Sequence, residues 1–352
     1  MAISELVGKA QTVLGPIAAE DLGITLPHEH LVVDLSAWFV EPAAASERIL
    51  AYQPVSLENL HWLHYNSASN LDNLRVWDEE VIISEVLHYK QAGGSTIVDL
   101  TNIGLGRDPL ALQRIARTTG LNIIMGAGYY IDQSHPPELA NKTEEEIAEE
   151  IVQDITVGVS ATRVRAGIIG EIGCLYPLTK SERKVLRAAA RAQQHTGAPL
   201  NIHPGYPYEA SPFEIIEVLG KAGANLAHTV ISHIQLLSTD VEKVCKLAEA
   251  GCYIEYDLFG RPGFAVSAAK FVDVPSDGQC IDWIKQLIDQ GYLNQILISQ
   301  DICLKMRLKR YGGSGYAHIL HYVVPLMRDK GIPEEHIRTI LVENPKRLLQ
   351  FV

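Results

Sequence analysis

The chain has 352 residues, 47% of them hydrophobic, and a formal net charge of −12. So acidic a chain is repelled by nucleic acid and by anionic membranes, and it holds no apolar run of about 18 residues that would span a bilayer. The five cysteines (Cys174, Cys245, Cys252, Cys280 and Cys303) are odd in number and lack a CxxC pair. That argues against a disulfide framework or zinc ribbon and for reduced thiols in a cytoplasmic protein. The start, Met1-Ala2-Ile3-Ser4-Glu5, has neither a basic region nor a long apolar one, so no signal peptide is expected.

Eight short apolar segments alternate with amphipathic helical ones. The strand candidates are Ile24–Pro27, Thr96–Leu100, Asn122–Gly126, Gly167–Gly170, Pro199–Ile202, Thr229–Ser232, Tyr253–Tyr256 and Gln295–Ser299. Most are rich in Ile, Val and Leu without alternation, the mark of parallel strands buried on both faces. Between them, Asp78–Gln91 reads as a helix stopped by Gly93-Gly94. Thr143 to Glu146 has capping-box spacing and opens a helix to about Thr156. Thr179–Gln194 ends at Gly197, and Ser211-Pro212 and Asn344-Pro345 open two more helices. The pattern predicts one (β/α)8 TIM barrel over residues 1–352. An open doubly wound sheet is the alternative, but no GxGxxG follows the first strand. The first crossover is irregular: residues 31–76 carry five aromatic residues before a clear helix begins. We read it as an insertion over the barrel mouth, placed to act as a lid.

Active sites of such barrels stand at the C-terminal strand ends. Strand one ends in His28-Glu29-His30, whose two histidines share a face because side chains in extended chain alternate. Strand four ends in Glu171, strand five in His203, strand six in His233 and strand eight in Asp301. Any one of these alone is more often a hydrogen-bonded or capping residue. Four imidazoles and two carboxylates recurring at one barrel end are different, since burying them together without a metal would be costly. Six ligands exceed one tetrahedral shell, so two divalent ions are implied, with zinc first and manganese, cobalt or iron open. Glu171 is the natural bridge, since a carboxylate has two oxygens.

The run Gly23-Ile24-Thr25-Leu26-Pro27-His28-Glu29-His30 resembles the G-x-T-L-[PT]-H-E-H signature of the phosphotriesterase family in the amidohydrolase superfamily. The likeness continues through Gly126-Ala127-Gly128-Tyr129-Tyr130, Gly170-Glu171-Ile172-Gly173, Ile202-His203-Pro204-Gly205, Ser232-His233 and Asp301. Within the family the chain is similar to the phosphotriesterase-related branch of animals along Gly167–Cys174, Ser181–Leu186, Glu255–Gly260 and Tyr311–Gly313. The resemblance implies that His28, His30 and Asp301 hold the more buried ion and that His203 and His233 hold the more exposed one. Glu171 and a hydroxide would bridge them. It implies attack of that hydroxide on an amide carbonyl, with Asp301 passing the proton to the leaving group and Tyr130 facing the hydroxide or substrate. Three positions depart from the family pattern: Gln300, Gln235 and Leu258 stand where relatives carry His, Asp and His.

The substrate so implied is a small acidic amide, N-acetyltaurine cleaved to taurine and acetate, with other N-acetylated amino sulfonates or amino acids close behind. Its anion would be held by Arg261 or by Lys305 and Arg307, which lie in the loops after strands seven and eight, where barrels often bind anions. A lactonase or phosphotriesterase using the same metals, and a non-catalytic metal-binding scaffold, are the competing readings. The partners expected are the small acidic amide alone, with neither nucleic acid nor membrane and with a homodimer left open.

Overall fold

The computed structural model describes residues 5–261, 264–267 and 270–352. The leader reading at Met1–Ser4 lies outside them. All eight strand candidates form strands: β1 (Thr25–Glu29), β2 (Thr96–Asp99), β3 (Asn122–Ala127), β4 (Ile168–Gly173), β5 (Leu200–His203), β6 (Thr229–Ile231), β7 (Tyr253–Tyr256) and β8 (Ile296–Ile298). They pair in sequence order, all parallel. Closure between β8 and β1 runs through side-chain and loop groups. Ser299 Oγ donates to the His28 carbonyl at 2.8 Å and accepts from the His28 N–H at 3.1 Å, and the Asp301 N–H reaches the same carbonyl at 3.2 Å. The last ligand segment is therefore tied to the first.

Burial on both faces explains the apolar runs. Ile97, Ile123 and Ile169 pack outward into the main core, while their neighbours Val98, Ile124 and Ile168 pack with Ala10, Leu22 and Leu349 in a second cluster. Ala10 belongs to an N-terminal hairpin, Lys9–Thr12 with Gly15–Ala18, which the sequence pattern did not reveal. The helices follow the predicted signals. In α1 (Glu79–Gln91) Asp78 is the N-cap, and Thr143 and Thr179 make full capping boxes for α2 (Glu144–Thr156) and α3 (Lys180–Thr196). Ser211–Lys221 and Asn344–Leu349 carry Pro in their first turns. No helix among the described residues is long and apolar enough to cross a membrane.

The segment of residues 31–76 lies at the barrel mouth. Its two ends pair antiparallel, Val33–Asp34 against Arg75–Val76. Asn73 anchors it to the loop after β8 by accepting from the Lys305 and Met306 main chains at 2.9 and 3.0 Å.

Candidate binuclear metal centre

The six predicted ligands converge from five strand ends. Two groups form, His28 with His30 and Asp301, and Glu171 with His203 and His233; within each, the ligand atoms lie within 4.8 Å of one another. His30 Nε2 stands 3.4 Å from Asp301 Oδ1, and His28 Nε2 3.6 Å from Glu171 Oε2. Glu171 Oε2 lies 3.1 Å from His203 Nδ1 and 3.8 Å from His233 Nε2. Atoms that each bind one tetrahedral ion at about 2.0–2.2 Å lie roughly 3.3–3.6 Å apart, so these spacings suit shared ions. His28 Nε2 is buried without a hydrogen-bond partner, although it is aimed at two carboxylates. A metal ion would satisfy it, and the residues fit the group.

Local backbone serves this arrangement. β1 and β4 both break register on the way to their ligands, between Leu26 and Glu29 and between Ile169 and Ile172; such irregularities re-aim side chains at barrel rims. His233 and Asp301 hold left-handed backbone, at φ of 58° and 47°, a strained conformation for residues with a Cβ. Gly170, at φ 136°, lets β4 pass β5: a Cβ there would stand 2.5 Å from the Asn201 carbonyl.

Three of the four rings are set by groups the sequence reading did not select. His28 Nδ1–H donates to Glu255 Oε2 at 3.0 Å, and that oxygen also accepts from Ser232 Oγ at 2.8 Å and Asn201 Nδ2 at 3.2 Å. His233 Nδ1–H donates to Asp257 Oδ1 at 2.9 Å, and His30 Nδ1 pairs with Thr101 Oγ1 at 3.0 Å. Such partners fix the tautomer that leaves the facing nitrogen free for metal. Asn102 holds the Glu171 main-chain carbonyl. Glu29, between the two β1 ligands, accepts from Ser299 Oγ at 2.8 Å and from the Gln300 and Ile302 main-chain N–H groups at 2.9 Å each, so it clasps the segment that carries Asp301.

Electrostatics tell the same story. Burial disfavours a charged His28, yet Asp257, Glu171 and Glu255 together hold its pKa well above the ordinary histidine value. Burial likewise opposes charge on His233, but Asp257 and then Glu171 raise it to about 10. Burial would raise the Glu171 pKa; His203, His233 and His28 instead hold it well below the usual carboxylate range. These three carboxylates thus favour positive charge at His28 and His233, as ring protons or as metal ions.

The centre opens into a cavity of about 70 Å³ whose wall includes His30, Glu171, His203, His233, Asp301 and Tyr130. Tyr130 is buried, with its hydroxyl 3.5 Å from both nitrogens of His203, and burial holds its phenol well above the usual pKa, so it remains a donor. His135 steadies it, with Nε2 2.8 Å from the Tyr130 carbonyl. Trp38, Ser67, Ala68 and Leu74 of residues 31–76 and Leu258 after β7 are also in the wall.

Of the three predicted anion contacts, only Arg261 reaches this cavity. Lys305 and Arg307 do not line it. Lys305 Nζ is paired with Asp72 at 2.5 Å, and Arg307, 2% exposed, spends its Nη2 on the Phe259 and Gln300 carbonyls at 3.0 Å each. Gln300 and Gln235 are likewise absorbed. Gln300 Nε2 donates to the Tyr316 carbonyl at 3.1 Å and its Oε1 accepts from the Ile319 N–H at 3.2 Å, while the Gln235 amide lies against Asp257 and Leu258.

The phosphotriesterase family profile matches residues 8–349. The phosphotriesterase-related protein of Nematostella vectensis is 44% identical over 347 residues, covering 98% of this chain and 99% of that one. The N-acetyltaurine hydrolase of Xenopus tropicalis is 44% identical over 350 residues, covering 99% of this chain and all of that one. Among solved structures, a resiniferatoxin-binding protein from Rhodobacter sphaeroides superposes with a TM-score of 0.94 at 38% identity, covering 97% of this chain and 95% of its own. With the eight-stranded parallel barrel and this residue set at its mouth, those matches establish the chain as a hydrolase of the phosphotriesterase family.

Proposed function

We propose that the chain is a metal-dependent amidohydrolase that cleaves small N-acetylated amino sulfonates or amino acids, with N-acetyltaurine, giving taurine and acetate, the leading substrate. The observation that carries the metal part is the convergence of six ligands in two groups of three, one of which holds the partnerless His28 Nε2. The substrate part rests on the near full-length likeness to an N-acetyltaurine hydrolase and on one guanidinium, Arg261, at a small cavity walled by the metal-centre residues and apolar side chains.

His28, His30 and Asp301 would hold one ion, His203 and His233 the other, with Glu171 between them; zinc suits this imidazole–carboxylate set. When bound, the two ions would acidify a water and polarise a substrate carbonyl. The remaining work falls to the chain. Arg261 would bind the sulfonate or carboxylate and orient the amide. Asp301, 7% exposed with Oδ1 3.4 Å from His30 Nε2, would accept the proton of the attacking water and return it to the departing amine nitrogen. That return matters because an amide nitrogen leaves poorly without a proton. The neutral Tyr130 hydroxyl would donate to the substrate oxygen. The insertion and Leu258 would keep bulk water out, with residues 31–76 opening as a lid.

All five cysteines are free thiols, and the reading places the protein in the reducing cytoplasm. The test is taurine release from N-acetyltaurine by the zinc-loaded protein, with Asp301→Asn as control. Turnover lost in the variant supports the assignment; no turnover with two ions bound overturns the substrate and turns attention to lactones and other N-acyl amino acids.

A further inference from the structure

A second cavity, of about 480 Å³, adjoins the metal pocket. The two share Trp38, Ala68, His203 and Tyr206 in their walls. Beyond that boundary the second cavity is lined by Phe39, Leu175, Tyr176 and Tyr208 among others, with no Asp, Glu, Lys or Arg in its wall among the described residues. The rings of Tyr176 and Tyr208 lie 5.1 Å apart and 33° from parallel. Trp38 meets Tyr130 edge-on at 6.4 Å, and Tyr206 meets His203 at 5.5 Å, so this aromatic wall runs directly to the metal-facing rings.

We propose that this chamber is an acyl-group subsite, and that the enzyme accepts N-acyl amino sulfonates and amino acids whose acyl group ends in an aromatic ring. The inference rests on the amidohydrolase reading and adds to it the class of acyl group. Size is the first argument. The metal pocket has about 70 Å³ free, which suits acetyl, whereas the chamber is several times larger, and an apolar cavity of about 150 Å³ is enough to hold benzene. Chemistry is the second. Aromatic walls favour a flat apolar guest through offset and edge-on contacts, and an anion has no cationic partner there. Polarity is the third. Arg261 lines the metal pocket and not the chamber, so the two ends of an N-acyl amino acid are told apart, the anion to Arg261 and the acyl tail across the His203 ring to the tyrosines. The reaction is the same hydrolysis: the C–N bond breaks, water's oxygen joins the acyl carbon to give the arylalkanoic acid, and the amine nitrogen takes a proton.

The test is equilibrium binding to the metal-free protein, where no turnover intervenes, by calorimetry with N-phenylacetyltaurine and N-acetyltaurine. The quantity read is the ratio of the two affinities. The phenylacetyl compound is expected to bind about tenfold tighter or more, in the range that added apolar contact supplies in a pocket. In Tyr176→Ala/Tyr208→Ala the ratio should fall to about twofold or less, and in Tyr176→Phe/Tyr208→Phe, which keeps both rings, it should persist. Equal affinities in the wild type, a ratio that survives the alanine variant, or no binding of either compound would overturn the subsite. The ratio is read apart from catalysis, so its absence and a failure to release taurine are separate results: the first sinks the chamber, the second the amidase.

Discussion

Asp257 grips His233 at two points: Oδ1 accepts from the ring Nδ1 and Oδ2 from the main-chain N–H, both at 2.9 Å. The second bond holds His233 in its left-handed backbone, and the first turns Nε2 toward Glu171. Asp257 also approaches His28, with Oδ2 3.3 Å from Nδ1. One carboxylate thus orients a ligand from each of the two groups.

Asp257→Asn removes the charge and presents an amide where two N–H donors point. Zinc affinity should fall about 10–100-fold, the usual effect of losing such an orienting carboxylate. A chelator competition titration measures this. An unchanged affinity would show that the His233 ring is held by packing alone.

Metal uptake should release protons. His233, at about 10, and His28, held well above the ordinary value, carry their protons at neutral pH in the metal-free protein. Ligation must displace them. Calorimetric zinc titrations at pH 7 in buffers of differing ionisation enthalpy should show at least about one proton released, with affinity rising with pH. The same shift has a stability consequence. A raised histidine pKa stabilises the fold fully below the unfolded value near 6.5, and that contribution disappears as pH rises through about 10. The metal-free protein should therefore lose thermal stability between about pH 7 and 10, and the zinc-loaded protein less; parallel melting curves would refute this.

Arg261 and Arg307 should separate cleanly. Arg261→Met should raise KM for N-acetyltaurine about 10-fold or more, since a bond to a charged group is worth about 1.5–3 kcal/mol, and should leave the melting temperature nearly unchanged. Arg307→Met should do the reverse. It strands two buried carbonyls, those of Phe259 and Gln300, at about 1–3 kcal/mol each. Steady-state kinetics and urea unfolding of both variants decide it, and a KM effect confined to Arg307→Met would overturn the assignment.

Glu29→Gln puts an amide among donors that need an acceptor. It should cost about 1–3 kcal/mol in unfolding free energy and lower kcat by slackening Asp301, with KM little changed. A stability loss without a kcat change would make Glu29 purely architectural.

Much of this protein is legible along the chain because the determinants are local. Strands buried on both faces are largely apolar, so eight short runs, most of them rich in Ile, Val and Leu, announce a parallel barrel; Asp78, Thr143 and Thr179 announce their helices because capping acts within three residues. The ligands are legible because barrel geometry sends every strand end to one face, and His28 and His30 share a side by the two-residue period. Other features needed the tertiary structure. Glu255 and Asp257 look like ordinary strand-end acids until the barrel brings them to His28 and His233, more than 200 residues and 24 residues away respectively. Arg261, Lys305 and Arg307 are equivalent cations in the sequence. Folding pairs Lys305 with Asp72, buries Arg307 against carbonyls and leaves Arg261 at the cavity, because a charge's role depends on which partners and how much water remain within a few ångströms, and chain position alone does not encode that.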